Sequence, residues 1–468
     1  MHSPPAAASF DAALDVAPLV QFDASDFELL KALGTVSYQT NVGASRTLSW
    51  SVSEEDAAPD TLAVTDAGVR VALATAFADD APRVSAGETP PACTLFAGRS
   101  TGSALSVAPA RVLLKAYSPA AFSLASTELR AAAALALRSS NGAANFWLLT
   151  DAPAWAEAPV APVVGWFYAP LPATQPGGIM PAQEGIGLWV VQRWVTLTSL
   201  ATLAATLPPP QVAQAAAITS STKNTEQGDA STWLSSLLSR AVPDRTPPPS
   251  PPPPPSRAAV IVQACVGAVE AVAFLHSKRI AHGALDSRCF LIENAQGRGG
   301  AAGAAASRLV VRVANFGFAV VGSDDEAQSA DEQQALADAA QRDCVALGVS
   351  IAEAVFGALS TEVRRIQRAC DGRVLSLPHI YTTRCALCLQ GPGPRTSGDA
   401  MRRLFIDIFA RDWAAIQSYC ADEPAWTAAV DALQPSGWAL LQALLEVDTY
   451  SGDDSRVTAA ASAWRAET

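Results

Sequence analysis

Between Arg257 and Phe318 the chain sets out, in order, a long apolar stretch, a tight turn, a short strand, a Gly/Ala-rich spacer and a second strand. The stretch opens RAAVIVQACVGAVEAVAFLHSKRI, continues AHGALDSRCFLI and, past the spacer, ends in RLVVRVANFGFAV. Ile261, Cys265, Val269, Val272 and Leu275 share one helical face, so the opening segment predicts a buried core helix. Residues 258–275 approach the length of a membrane span, but Gln263 and Glu270 interrupt them, and no transmembrane segment is expected.

The 468 residues correspond to about two to three average domains, and half of them are hydrophobic, so a large core can form. A net charge of −12 argues against non-specific nucleic-acid binding, which needs many Lys and Arg to neutralise phosphates. Among the eight Cys, Cys265, Cys289 and Cys344 lie inside apolar runs, which predicts buried thiols in a reducing compartment rather than a disulfide framework. The opening MHSPPAAASFDAALDV lacks a basic start and an apolar block, and the first Arg is Arg46. Neither a secretory signal nor a transit peptide is expected from it. The expectation is an intracellular, by default cytoplasmic, protein, with plastid or mitochondrion as the alternatives.

Residues 1–25 are Ala/Pro/Ser-rich and predict a flexible N-terminal segment from which Leu19, Val20 and Phe22 pack back onto the domain. DFELLKALGT and VSYQTNVGASRTLSWSV predict two strands, with Gly34 and Gly43 marking the connection. Residues 54–108 are acidic and turn-rich and read as an insertion, with strands at Val69–Phe77 and Cys93–Phe96. ARVLLKAY (110–117) is a strand by its alternation and β-branched content. AAFSLASTELRAAAALALR (120–138) is a helix by its Ala and Leu. NFWLLT (145–150), PVVGWFYAP (162–170) and GLWVVQRW (187–194) predict further strands, and Val195–Leu207 a short helix.

Residues 208–256 form a linker ending in TPPPSPPPPPS. Polyproline has no internal hydrogen bonds and cannot join a packed core, so this is a stiff spacer looped out of the fold. Its functional reading is a ligand for aromatic-grooved protein modules. DCVALGVSIAEAVFG predicts a buried helix after the acidic segment 322–342, and the chain ends in further helices. Cys385 and Cys388, with Cys370 and His379 nearby, are a weak zinc pattern because no second C-x-x-C accompanies them.

This order of elements resembles the protein kinase superfamily. The resemblance implies an α+β, bilobal fold: a small β-rich N-lobe over 26–194 with an insertion at 54–108, and a larger, mainly helical C-lobe over 195–468 with the Pro-rich insertion 208–256. It puts Lys115 in the place of the lysine that grips the nucleotide phosphates and Glu128 in that of its helical partner. Gly34 stands where the family has its Gly-rich loop, and 187–194 where a strand enters the adenine-binding hinge. Trp166, Trp189 and Trp194 are candidates to stack on a base, against the commoner reading as core.

The chemistry of the implied site is depleted. Phosphoryl transfer needs metal ions between the phosphates and a carboxylate to take the acceptor's proton. In the place of the family's His-Arg-Asp stands His282-Gly283-Ala284, and its metal-binding Asn is replaced by Cys289. Alanine accepts no proton, losing a general base costs roughly 10²–10⁴ in rate, and a thiol suits magnesium poorly. Asp-Phe-Gly has become Asn315-Phe316-Gly317, which removes the charge that offsets dehydration of the metal.

Asp286 is the candidate substitute base, against a plain role as a turn residue. His282 is expected to pack against the Phe-Gly loop and Asp343 to brace the catalytic loop, while no Ala-Pro-Glu precedes that helix. The resemblance thus implies a pseudokinase: a binding, scaffolding or regulatory module that retains ATP through Gly34, Lys115, Glu128, Asn315 and Gly317 with its magnesium site impaired. Its partners would be proteins, reached through the Pro-rich loop. The alternative is a divergent, active Ser/Thr-type kinase working through Asp286 and Asn315.

Overall fold

The structure, a computed structural model, describes residues 16–40, 46–51, 93–101, 111–139, 159–171, 186–195, 198–206, 256–295, 308–323, 329–360, 396–446 and 455–467. Gly43, Val69–Phe77, NFWLLT, the Pro-rich run, Cys370, His379 and the Cys385/Cys388 pair lie outside them.

Seven strands form one sheet: β1 (Val20–Gln21), β2 (Phe27–Thr40), β3 (Arg46–Ser51), β4 (Cys93–Ser100), β5 (Arg111–Tyr117), β6 (Val163–Pro170) and β7 (Ile186–Arg193). Their spatial order is β1-β6-β7-β5-β4-β2-β3, antiparallel throughout except for the short β1/β6 pair. The middle strands read as nearly unbroken apolar runs because both of their faces are covered. Helix α1 (Phe122–Ser139) lies on one face, burying Ala125, Leu129 and Ala132. The other face carries an aromatic layer in which Phe167 stacks on Trp189 (5.5 Å, 11°) and on Phe27, with Phe22 edge-on to Phe27.

Leu19 and Phe22 are buried, as expected, together with Val16, and Val20–Gln21 pairs with the sheet. One sequence expectation is corrected in this half: the proposed insertion 54–108 is too long. Its Cys93–Ser100 part is an inner strand between β2 and β5, buried at Cys93, Leu95, Phe96 and Ala97. The acidic run that precedes it hides a strand whose own residues are mostly apolar.

The second half is mainly helical. Helices α2 (Leu200–Thr206), α3 (Arg257–Ser277) and α4 (Ala330–Leu359) share one core with the hairpin of β9 (Phe290–Ala295) and β10 (Arg308–Val313). Strands β8 (Ile280–Ala281) and β11 (Val320–Val321) form a small second pair. Then follow α5 (Gly398–Arg402), α6 (Trp413–Asp422), α7 (Thr427–Leu433), α8 (Ser436–Leu445) and α9 (Ser455–Glu467). The chain is therefore mixed α+β.

Among the described residues α3 is the one helix long and apolar enough to cross a membrane, by length and composition. Its residues Ile261, Cys265, Val269, Val272 and Leu275 are buried in the protein's own core. Helix α4 starts thirteen residues before Asp343, inside the acidic segment 322–342. Ser329 and Glu332 close a reciprocal capping box at its start, and the Ala/Gln-rich run beyond is a good helix former.

Sheet and helical body are joined at defined points. Arg138 at the end of α1 donates to Lys278 O (2.7 Å), and Lys278 Nζ donates back to Arg138 O (2.9 Å). Ala161 N donates to Val313 O at 2.8 Å, and Val160 bridges Val313 in parallel. These ties bring β5 and α1 over the end of β10.

Candidate functional site

Lys115 sits on β5 and points toward α1, where Glu128 waits one turn into the buried face. Its Nζ lies 2.5 Å from Glu128 Oε1, and both residues are 1% exposed. The second carboxylate oxygen accepts from the hydroxyl of Tyr117, two residues along β5 on the same face. The pair is neutral overall and its oxygens are engaged, which is what a buried ion pair requires. Lys115 Nζ also donates to Asn315 Oδ1 at 2.9 Å. Strand, helix and the loop after β10 thus meet at one ammonium.

That loop is locked from below. Asp343, buried on α4, accepts from His282 N (2.6 Å), Gly283 N (2.9 Å) and His276 Nε2 (3.3 Å). His282 Nε2 lies 2.9 Å from Ala314 O, and Ala284 N donates weakly to His282 Nδ1 at 3.4 Å. A carbonyl only accepts, so the proton is assigned to Nε2 and Nδ1 is the acceptor. The ring packs on Phe316, with centroids 5.2 Å apart. Ala314 N donates to Cys289 O at 3.0 Å, which stitches the 282–289 loop to the 314–317 loop. The expected structural roles of His282 and Asp343 are those seen.

Gly283 takes φ +78°, and a Cβ there would stand 2.3 Å from Phe318 O. Only glycine meets both conditions without strain. Gly283 thereby fixes how closely the two loops approach.

The remaining candidates divide. Ala284 is buried at 8% exposure and presents only a methyl group at the position where a base was sought by resemblance. Asp286 Oδ1 accepts from Arg288 N (2.9 Å) and Cys289 N (3.1 Å), an Asx turn that holds the carboxylate to its own backbone. Ser287 Oγ donates to Glu353 Oε2 on α4 at 2.7 Å, and burial pushes that carboxyl's pKa up.

Cys289 is wholly buried with Sγ 3.6 Å from Ala284 O, and burial, with Asp286 nearby, pushes its thiol far up, so it stays protonated. Asn315 turns its oxygen to Lys115 rather than outward. A neutral thiol and a committed amide do not fit magnesium at the positions the sequence suggested. Among the described residues no group of three or more His, Cys, Asp or Glu is placed to hold a metal ion.

Gly317 is buried in the turn closed by Ala319 N donating to Phe316 O. Gly34 departs from expectation: it lies inside β2 opposite Leu95, beside a register shift, rather than at a turn. The alternating β-formers through Thr40 carry the strand past it, and the glycine accommodates the bulge. It shares a cross-sheet row with Lys115 but stands two strands away, about 10 Å. Trp166 and Trp189 are buried in the sheet, and Trp189 is on the face away from Lys115.

Sequence reasoning missed two residues here. Tyr117 is signalled by its place two positions after Lys115. Gln192 is signalled as a polar residue in phase with Leu188 and Val190 in an apolar strand. It is 1% exposed, and among the described residues neither of its amide atoms has a hydrogen-bond partner; nor has Asn315 Nδ2.

No protein-family model matches the chain, and neither does any curated protein.

Proposed function

We propose that the chain is a bilobal, protein-kinase-like fold that has lost phosphoryl transfer and serves as a nucleotide-holding pseudokinase. The observation that carries this reading is the buried Lys115–Glu128 pair on a strand and the next helix, beside a loop whose base position is Ala284. A strand lysine held by a helix glutamate is the arrangement protein kinases need to grip nucleotide phosphates. The braced 282–289 loop and the Asn315-Phe316-Gly317 turn beside it support the same reading. The engagement of Asp286 in its own turn weighs against its service as a base.

The residues present fit the phosphates of ATP better than they fit its metal. Lys115 supplies the cation for a phosphate, once Asn315 yields its place. Retention of nucleotide without turnover makes the fold a binding or regulatory module whose partners are proteins.

Thermal-shift titration with ATP tests this reading, run in magnesium and in EDTA. The expected result is a rise in Tm in both, lost in the charge-neutral double variant Lys115→Met/Glu128→Gln, with no release of γ-phosphate. Phosphate transfer that disappears in Asp286→Asn would establish the divergent active kinase instead.

A further inference from the structure

Gln192 lies on β7 between Leu113 of β5 and Val163 of β6. Two residues back, Val190 pairs with Lys115. Side chains of cross-strand partners share a face and alternate residues return to it. Gln192 is therefore on the Lys115 face of the sheet, about 7 Å farther along the strands.

Among the described residues its carboxamide has no hydrogen-bond partner at either atom, and Asn315 Nδ2 has none. Each buried polar atom left unpaired typically costs about 1–3 kcal/mol. A leucine or methionine there would avoid that cost and fill similar space. A buried carboxamide with both of its polar atoms unpaired, on the sheet face that carries Lys115, points to a polar ligand on that face.

A carboxamide presents one donor and one acceptor side by side. That pattern matches a base edge with an amino group next to a ring nitrogen, the pairing by which Gln and Asn read adenine. We propose that Gln192 is a specificity-determining contact of this site: its amide hydrogen-bonds the 6-amino group and adjacent ring nitrogen of an adenine nucleotide whose phosphates Lys115 holds. The inference rests on the nucleotide-holding reading and adds the residue that selects the base.

The test compares binding of ATP with that of purine riboside triphosphate, the same ring without its 6-amino group, by calorimetry. Wild type is expected to prefer ATP by at least tenfold, and Gln192→Leu to bind both alike. Lys115→Met/Glu128→Gln is expected to weaken both equally. Gln192→Met provides the same comparison if the leucine variant does not fold. Wild type binding both nucleotides equally, or a preference that survives in Gln192→Leu, overturns the role of Gln192 alone. Wild type binding neither nucleotide overturns it together with the nucleotide-holding reading.

Discussion

Lys115 and Asn315, 200 positions apart in the chain, meet at 2.9 Å in a space closed to solvent. At position 315 the protein puts a neutral amide and spends the amide's oxygen on the lysine. The ammonium thereby holds sheet and loop together instead of facing a free anion.

Asn315→Asp tests this directly. Asn315 has φ +71°, a conformation aspartate also tolerates, so the backbone contribution of the change is small. The new carboxylate joins Glu128 and Lys115, giving the buried cluster a net charge of −1 without a further partner. A loss of about 1–3 kcal/mol is expected from such imperfect compensation. Urea unfolding beside the wild type measures it; unchanged stability would show that the added charge is accommodated.

The Lys115–Glu128 pair has a sharper signature. Lys115→Ala leaves the Glu128 carboxylate buried with the Tyr117 hydroxyl as its remaining donor among the described residues. Breaking a buried pair from one side typically costs about 3–5 kcal/mol. Lys115→Met/Glu128→Gln removes both charges, keeps volume, and leaves Tyr117 an acceptor. It is expected to recover most of the loss. The coupling is read from a double-mutant cycle in urea; additive effects would mean the two side chains do not depend on each other.

Much of this site was legible because its residues stand on strongly patterned elements. Lys115 falls in an alternating strand and Glu128 in an Ala/Leu helix, and the order strand–helix brings them to one face. The same local strength exposed α3 and the buried half of α4. The strand at Cys93–Ser100 was mistaken for part of an insertion because an acidic, turn-rich approach obscured that its own run is apolar. Gly34 misled for the opposite reason, since a glycine signals a turn and a strand bulge equally. The demand on Gly283 was invisible, because the clash with Phe318 O exists only after two distant loops dock.

Gly283 therefore makes a further prediction. An arginine at this position would strain the loop. Any Cβ meets Phe318 O at 2.3 Å, and φ +78° is strained for every L side chain. Residues held in that region cost about 1–3 kcal/mol before the clash is counted. Gly283→Ala should lower the urea midpoint accordingly, and Gly283→Arg by at least as much. Wild-type stability in Gly283→Ala would show that the loops are not packed this closely.

Trp464 closes the helical body at its far end. It is fully buried on α9, donates Nε1 to Ala432 O at 2.7 Å, and leaves so little room that a Cβ on Gly437 would stand 2.9 Å from it. Trp464→Ala removes a fully buried side chain packed against Gly437 of α8, for which a loss of about 3–5 kcal/mol is typical. Hydrogen exchange should then show α9 and α8 losing protection before β5 and α1. Uniform loss across the protein would mean the two halves unfold as one cooperative unit.

Glu353 gives the fold a pH dependence whose sign can be worked out. Burial raises its carboxyl from the ordinary value of 4.5, and Asp286 adds to that, while the Ser287 hydroxyl, Arg288 and the Gly398 N–H pull it down. Below pH 4.5 the carboxyl is protonated in folded and unfolded chains alike, so no penalty arises. As pH climbs above 4.5, the unfolded chain releases its proton while the folded protein keeps it. The folded state then binds more protons, and stability falls until the pH passes the raised folded value, after which the penalty is constant. Glu353→Gln keeps an acceptor for Ser287 and cannot ionise. The difference in Tm between this variant and wild type should be smallest near pH 4 and grow in the variant's favour toward pH 7. A difference that stays level across that range would assign Glu353 a hydrogen-bonding role with no electrostatic cost.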